Sequence, residues 1–332
     1  MRTLRVTGTA TGLELAEGES PQPQPGPGEL LIRVYAAGVT PSELRWYPTL
    51  HDRAGGERAN AVPGHEFSGV VAGAGKDVGS LETGHEVFGM NDWFADGAMA
   101  DYCVAAYSSV APKPPRLTHV EAASVPIAGL TAWQGLFDRA ALQPGERVLV
   151  HGGAGAVGVF AVQLARFRGA QVTATASARD LEFVRSLGAD QVLDYRTASF
   201  ENAVREVDVV FDTVGGKTLQ RSWSVLKPRG RMVTIAANGE GATDERTKRA
   251  FFIVEPNQKE LAEIGSLLVA GGLVPVVDSV IPLSRAPEAF AGRIERRGCG
   301  RVVVSMVAEA ADEYARSGQR TTGAMGAAGS PA

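Results

Sequence analysis

Residues 147–158, "RVLVHGGAGAVG", constrain this chain more than any other stretch. A short apolar run leads into Gly153-Ala154-Gly155-Ala156-Val157-Gly158, a Gly-x-Gly-x-x-Gly turn. Beyond it Val157, Phe160, Ala161 and Leu164 recur at helical spacing, and "AQVTATAS" (170–177) reads as a second strand. Glycine fills 40 of the 332 positions, so the turn alone says little. Its place between a buried strand and an amphipathic helix makes it a dinucleotide-binding unit. In that setting Gly153 permits the tight turn, Gly155 lets the backbone approach a pyrophosphate, and Gly158 lets helix and sheet pack closely. Ala156 and Val157 open a helix whose N-terminal N–H groups and dipole favour phosphate.

The pattern extends on both sides. After the turn, "QVLDY", "VDVVFDTVGG", "GRMVTIAAN" and "FFIVEPN" alternate with helical stretches. Continuous apolar strands of this kind belong to a parallel sheet covered by helices on both faces. The expectation is an α/β fold with a Rossmann-type, doubly wound parallel sheet over residues 120–271. Residues 1–119 read as a separate β-rich, barrel-type domain, in which "ELLIRVYAAGV" alternates and "FSGVVAGAG" and "HEVFGM" supply short strands. Thr118 and Glu121 have capping-box spacing, and Asn257 caps a helix that stops at Gly271-Gly272. Residues 272–307, with "LVPVVDSVIPL" and "GRVVVSMV", return to β character and complete the first domain. Residues 308–332 are poor in large apolar side chains and read as a disordered tail.

Composition narrows the partners. A net charge of −4 over this length argues against nucleic acid or an anionic membrane, and no apolar run reaches the length of a membrane helix. Two cysteines, Cys103 and Cys299, make no disulfide framework, which suits a reducing cytoplasm. The partner expected is a small molecule.

An NAD-preferring unit ends its second strand with a carboxylate that holds the ribose 2′-hydroxyl. Here Ala176 and Ser177 stand in that place, followed by Arg179. Ser177 can donate to a 2′-phosphate and Arg179 can pair with it, so NADPH is the expected cofactor. Arg179 also reads as an ordinary solvated helix-start residue, and Asp180 as the cap of the helix that follows.

"VPGHEFSGVV" (62–71), "GLTAWQGL", "GAGAVG", "SLGADQVLDY" and "VDVVFDTVGG" together resemble the medium-chain dehydrogenase/reductase superfamily over residues 1–307. The resemblance implies a GroES-like first domain. In that superfamily's zinc alcohol dehydrogenases a cysteine and the histidine of "GHE" hold a catalytic metal. Here Thr40 occupies the cysteine's place and His65 stands alone, whereas a catalytic zinc wants about three protein ligands. No metal is expected, and His65 reads as a packed, hydrogen-bonded histidine. The similarity is to the zinc-independent, ζ-crystallin-like quinone oxidoreductase branch. That branch often shows Asn and Asp where Gly38-Val39-Thr40-Pro41-Ser42-Glu43 has Thr40 and Glu43. It implies that Thr131, Thr213, Tyr195, Ala236 and Ala237 line the NADPH groove, Tyr195 near the 2′-phosphate. It further implies Arg297 and Arg301 as cofactor contacts, although with Arg296 they also read as a solvated basic helix end. A homodimer paired through the cofactor domains is the family tendency, with "FFIV" as an edge strand.

Without a metal to polarise a carbonyl, hydride transfer favours an acceptor that is already electrophilic, a quinone or the β-carbon of an α,β-unsaturated carbonyl. Candidate catalytic groups cluster in "TPSELRWYPTL": Tyr47 and Thr40 as proton donors, and Glu43 to orient either. Tyr47 reads equally as a pocket wall. Asn91, Trp93 and Phe94 form the candidate substrate pocket, with loop anchoring as the alternative for the two aromatics. Two other readings compete: a zinc-type alcohol or aldehyde dehydrogenase with an atypical metal site, and a non-catalytic NADPH-binding redox sensor.

Overall fold

A computed structural model describes residues 1–9, 12–236, 244–296 and 298–317. Contacts divide the chain into two units, Met1–Leu130 with Val254–Tyr314, and one built on Thr131–Ile253.

The first unit is the β-rich one. β1 (Arg2–Thr9) pairs antiparallel with β2 (Gly12–Glu19). β3 (Glu29–Gly38), β4 (Glu66–Ala74), β5 (Glu86–Met90), β6 (Tyr102–Ala106) and β7 (Val110–Pro112) enter a second, larger sheet. Its core is apolar and tightly filled, with Leu30, Ile32, Phe67 and Met99 excluded from solvent.

The second unit is an all-parallel sheet. β8 (Arg147–His151), β9 (Gln171–Ala176), β10 (Gln191–Asp194), β11 (Val207–Asp212) and β12 (Leu226–Thr234) lie in the order β10-β9-β8-β11-β12. The chain runs outward from β8 to one side, then crosses to the other at β11. That reversal is the switch point where open α/β sheets bind ligands. The helix Ala156–Phe167 returns from β8 to β9 with Phe160, Ala161 and Leu164 buried as expected, but Val157 is only partly buried. Val159, Val162, Gln163 and Ala165 are buried too, so burial extends well beyond the one face its spacing predicts.

β13 (Val277–Pro282) and β14 (Arg301–Ser305) then complete the first sheet, β14 pairing antiparallel with β3. No helix among the described residues is long and apolar enough to cross a membrane.

Three expectations need correction. The boundaries at 119/120 and 271/272 move, because the helix His119–Ala123 packs on β3 and β4 and the helix Gln258–Ala270 packs on β7. Both belong to the β-rich unit. "FFIV" is not an edge strand, since only Phe251 makes a single parallel bridge to Thr234. The stretch after residue 307 is not wholly a tail: Ala308–Arg316 is helical, and Ala310 and Tyr314 join an apolar cluster with Val120, Ala123 and Val303. Residues 318–332 of the expected tail lie outside the described residues.

Candidate functional site

The glycine turn is fastened to β9 by its backbone. Gly153 N–H donates to Thr175 O at 2.9 Å, and Gly152 N–H to Thr175 Oγ1 at 3.2 Å. Gly152, not Gly153, takes the left-handed conformation, with φ of 77°. Two adjacent glycines gave the sequence no means of choosing between them. A Cβ on Gly158 would lie 2.0 Å from Gly152 O, a clash with backbone that no rotamer relieves. Gly155 caps the helix Ala156–Phe167 without a side chain. The first-turn N–H groups are therefore left to a ligand, the arrangement that suits a pyrophosphate.

The other strand ends converge on the same rim. Thr213 follows β11 and donates its hydroxyl to His151 O at 2.8 Å. Ala236 follows β12, its N–H donating to Thr234 Oγ1 at 3.2 Å. Tyr195 follows β10, exposed, its N–H held by Ala176 O at 3.1 Å. Thr131 is buried within the helix Pro126–Trp133, and Ala237 and Arg297 lie outside the described residues.

Beneath the rim lies a polar network that sequence reasoning missed. Ser222 donates to Thr218 O, so its oxygen accepts from His151 Nε2 at 2.9 Å. Thr175 Oγ1 faces His151 Nδ1 at 3.2 Å, which completes a neutral imidazole. Burial drives His151 down to about 4. Asp212, fully buried, accepts from Val214 N, Gly215 N and Thr234 Oγ1 and so fixes the loop after β11. The only sequence signal was an Asp at a strand end before a glycine pair.

At the end of β9, Ser177 Oγ donates to Asp180 Oδ2 at 2.6 Å and Arg179 Nε to Asp180 Oδ1 at 3.1 Å. Asp180 was expected to cap the helix Leu181–Ser186, but its side chain makes no capping bond.

The first unit holds a buried charge cluster. Glu43 accepts from Gly64 N at 2.7 Å and faces His65 Nδ1 at 2.8 Å. His65 Nε2 faces Ala95 O at 3.2 Å. Glu66 accepts from Ile127 N at 2.9 Å, and its other oxygen lies 2.7 Å from Arg301 Nε. That last contact is an ion pair without hydrogen-bond alignment. Burial pushes Glu66 up to about 7, against the pull of Arg301 and the Ile127 N–H. Arg301 Nη1 donates to Val39 O and Thr40 Oγ1.

Family models match this chain twice: the alcohol dehydrogenase GroES-like domain over residues 26–115, and zinc-binding dehydrogenase over residues 187–304. The 2-methylene-furan-3-one reductase of Solanum lycopersicum is 34% identical over 291 residues, covering 83% of this chain and 71% of that protein. The chain belongs to the medium-chain dehydrogenase/reductase superfamily. Within it the chain is quinone-oxidoreductase-like. The quinone oxidoreductase structure from Coxiella burnetii matches with a TM-score of 0.80 and 29% identity, over 92% of this chain and 99% of that one. A mycobacterial structure solved in complex with NADPH matches with a TM-score of 0.77 and 30% identity, over 92% and 100%. The spectinabilin polyketide synthase protein NorB of Streptomyces orinoci is 38% identical over 259 residues, 73% of this chain but 12% of that protein.

A zinc ion does not fit the residues at its place in this superfamily. Thr40 replaces the thiolate and is bonded by Arg301, while both nitrogens of His65 face oxygens of the protein. Among the described residues no group of three His, Cys, Asp or Glu could hold a metal.

Other expected site residues are differently employed. Glu43 orients His65, not Tyr47 or Thr40, because it is sealed from solvent behind the Gly64 N–H. Arg301 is no solvated helix end; it is buried against Glu66. Trp93 is 8% exposed, its indole N–H donating to Val254 O at 2.9 Å and its ring packed on Trp46 and His65. Asn91 is buried and donates to Asp96 O. These two anchor their loop, which leaves Phe94, under the Arg53 guanidinium, as the partly open member of the set. Tyr47 is exposed and stacks on His51 at 4.1 Å. Burial pushes the Cys103 thiol up to about 12, an inert state.

Proposed function

We propose that this chain is a metal-free, NADPH-dependent oxidoreductase that passes hydride to a quinone or to the β-carbon of an activated alkene. The observation that carries the reading is the strand-end rim of the parallel sheet. It pairs a glycine turn that admits no Cβ at Gly158 with a β9 end that offers Ser177 and Arg179. NADPH fits this rim, and when bound it supplies the hydride.

The chain's own groups do the rest. The turn backbone and the first N–H groups of the helix Ala156–Phe167 hold the pyrophosphate. Ser177, Arg179 and Tyr195 stand at the two adjacent strand ends suited to the adenosine 2′-phosphate. Thr40 at the thiolate's place and the engaged nitrogens of His65 favour chemistry without a Lewis acid, in which the acceptor brings its own electrophilicity. Thr40 accepts from Arg301 and so keeps its hydroxyl proton to donate, and exposed Tyr47 is a second donor. The relatives' names, a quinone oxidoreductase and a methylene-furanone reductase, support this acceptor class. We also propose a cytoplasmic homodimer, supported by the family resemblance and by two cysteines that form no disulfide.

Steady-state kinetics with 9,10-phenanthrenequinone and a small enone test the reading, with NADPH and NADH compared and a chelator added in parallel. Turnover with NADPH is expected at a kcat/KM above that with NADH, unchanged by the chelator. Stoichiometric zinc whose removal abolishes activity would overturn the metal-free claim. Binding of NADPH without turnover on any acceptor would leave a sensor instead of an enzyme.

A further inference from the structure

We propose that Asp180 is a specificity-setting residue that competes with the cofactor's 2′-phosphate for Ser177 and Arg179. It thereby holds the preference for NADPH over NADH below what those two donors could deliver. The inference rests on the reading above that the adenosine ribose lies at the ends of β9 and β10.

The geometry is specific. After β9 the chain makes a short turn over Ala178–Asp180, closed by Asp180 N–H donating to Ser177 O at 2.9 Å. This folds the Asp180 carboxylate back beneath Ser177, where its side chain is 11% exposed. One carboxylate oxygen takes the Ser177 hydroxyl at 2.6 Å and the other takes Arg179 Nε at 3.1 Å. Each of the two donors suited to a phosphate is thus already aimed at an anionic oxygen. A carboxylate offers two such oxygens to neighbouring donors much as a phosphate does. Asp180 therefore acts as a built-in mimic of the group it would exclude.

The arrangement affects the two cofactors unequally. A ribose hydroxyl can still donate to a carboxylate or accept elsewhere, so NADH meets no charge conflict at this edge. A 2′-phosphate can only accept. It has to draw Ser177 and Arg179 away from Asp180 and also sit close to a like charge. The Arg179 side chain is 64% exposed, and Arg196 adds a second cation 5.6 Å from the Tyr195 ring centroid at the neighbouring strand end. These charges favour NADPH, while Asp180 limits how far.

The test measures binding, not turnover. Calorimetric titrations of the full chain use NADPH, NADH, adenosine 2′,5′-bisphosphate and AMP, on wild type and the variants Asp180→Asn, Ser177→Ala and Ser177→Ala/Asp180→Asn. Asp180→Asn is expected to raise the ratio of NADH to NADPH dissociation constants about tenfold, and the AMP to bisphosphate ratio alike. Ser177→Ala is expected to cost NADPH about fivefold more affinity in the Asp180→Asn background than in wild type, since there the neutral amide oxygen competes less well than a carboxylate for its proton. An unchanged or lowered ratio in Asp180→Asn, with AMP still bound, would overturn the inference and make Asp180 a positioning residue for the donors. Equal costs of Ser177→Ala in both backgrounds would also overturn it. A wild type that prefers NADH but gains NADPH selectivity on Asp180→Asn would sink the NADPH reading and sustain this one. A wild type that binds neither dinucleotide would sink both.

Discussion

Glu66 and Arg301 show what a buried charge costs and why it stays. Each is almost wholly enclosed, and the Ile127 N–H supplies the one aligned hydrogen bond to the carboxylate. Removing one member of such a pair is far more damaging than removing both, because the survivor loses its compensation. Arg301→Met is therefore expected to destabilise the fold by about 3 kcal/mol at pH 8, read by urea denaturation. The loss should shrink by pH 5. Burial already holds Glu66 at about 7, so below that pH the folded carboxyl is neutral and needs no cation. An equal loss at both pH values would mean that Arg301 acts through its bonds to Val39 O and Thr40 Oγ1 instead.

At the scale of elements, the turn between β8 and the helix Ala156–Phe167 has little room to absorb change. Gly158→Ala puts a methyl group into Gly152 O, so helix and turn must separate. The expected result is a loss of NADPH affinity of at least about tenfold, seen by titration, with a lower Tm. The helix Ala308–Arg316 is anchored more lightly. Tyr314→Ala should cost about 2–3 kcal/mol, because the ring is the only large side chain that the helix gives its cluster. That helix shows why part of the fold was illegible. Its nine residues contain one large apolar anchor, so composition read it as tail. Features written locally were legible. The Thr118–Glu121 capping box, the Asn257 cap and the left-handed Gly271 each depend on residues within a few positions. The glycine turn was legible for the same reason. The Glu43–His65 and Glu66–Arg301 pairings were not, since they join side chains far apart in sequence that only the completed sheet brings together. Asp180 was misread at short range, where a carboxylate can cap a helix or turn back on Ser177, and periodicity does not choose.

At the scale of the whole molecule, three buried groups among the described residues carry large shifts that act between pH 5 and 6. His151 in the parallel unit is held at about 4 by burial, and His119 in the β-rich unit is held at about 4 by burial with Lys113 beside it, against a usual 6.5. Each is neutral in the fold, so its contribution is fully present above pH 6.5 and is lost as pH falls toward 4. Near pH 5 each histidine takes up close to one proton on unfolding, and each such proton lowers stability by about 1.4 kcal/mol per pH unit of acidification. Glu66 has the opposite sign. Its folded value of about 7 lies above the usual 4.5, so its contribution is fully present below pH 4.5 and is lost as pH rises to 7. Near pH 5 it releases close to one proton on unfolding and offsets one histidine. His119 and Glu66 occupy the same unit, so they nearly cancel there, and His151 is left to govern the other. Equilibrium denaturation between pH 5 and 6 should therefore show a net slope of about 1.4 kcal/mol per pH unit. His151→Gln should flatten it. Glu66→Gln, which copies the neutral carboxyl of the folded state, should roughly double it. If His151→Gln left the slope intact, the acid response would have to arise from groups outside these three.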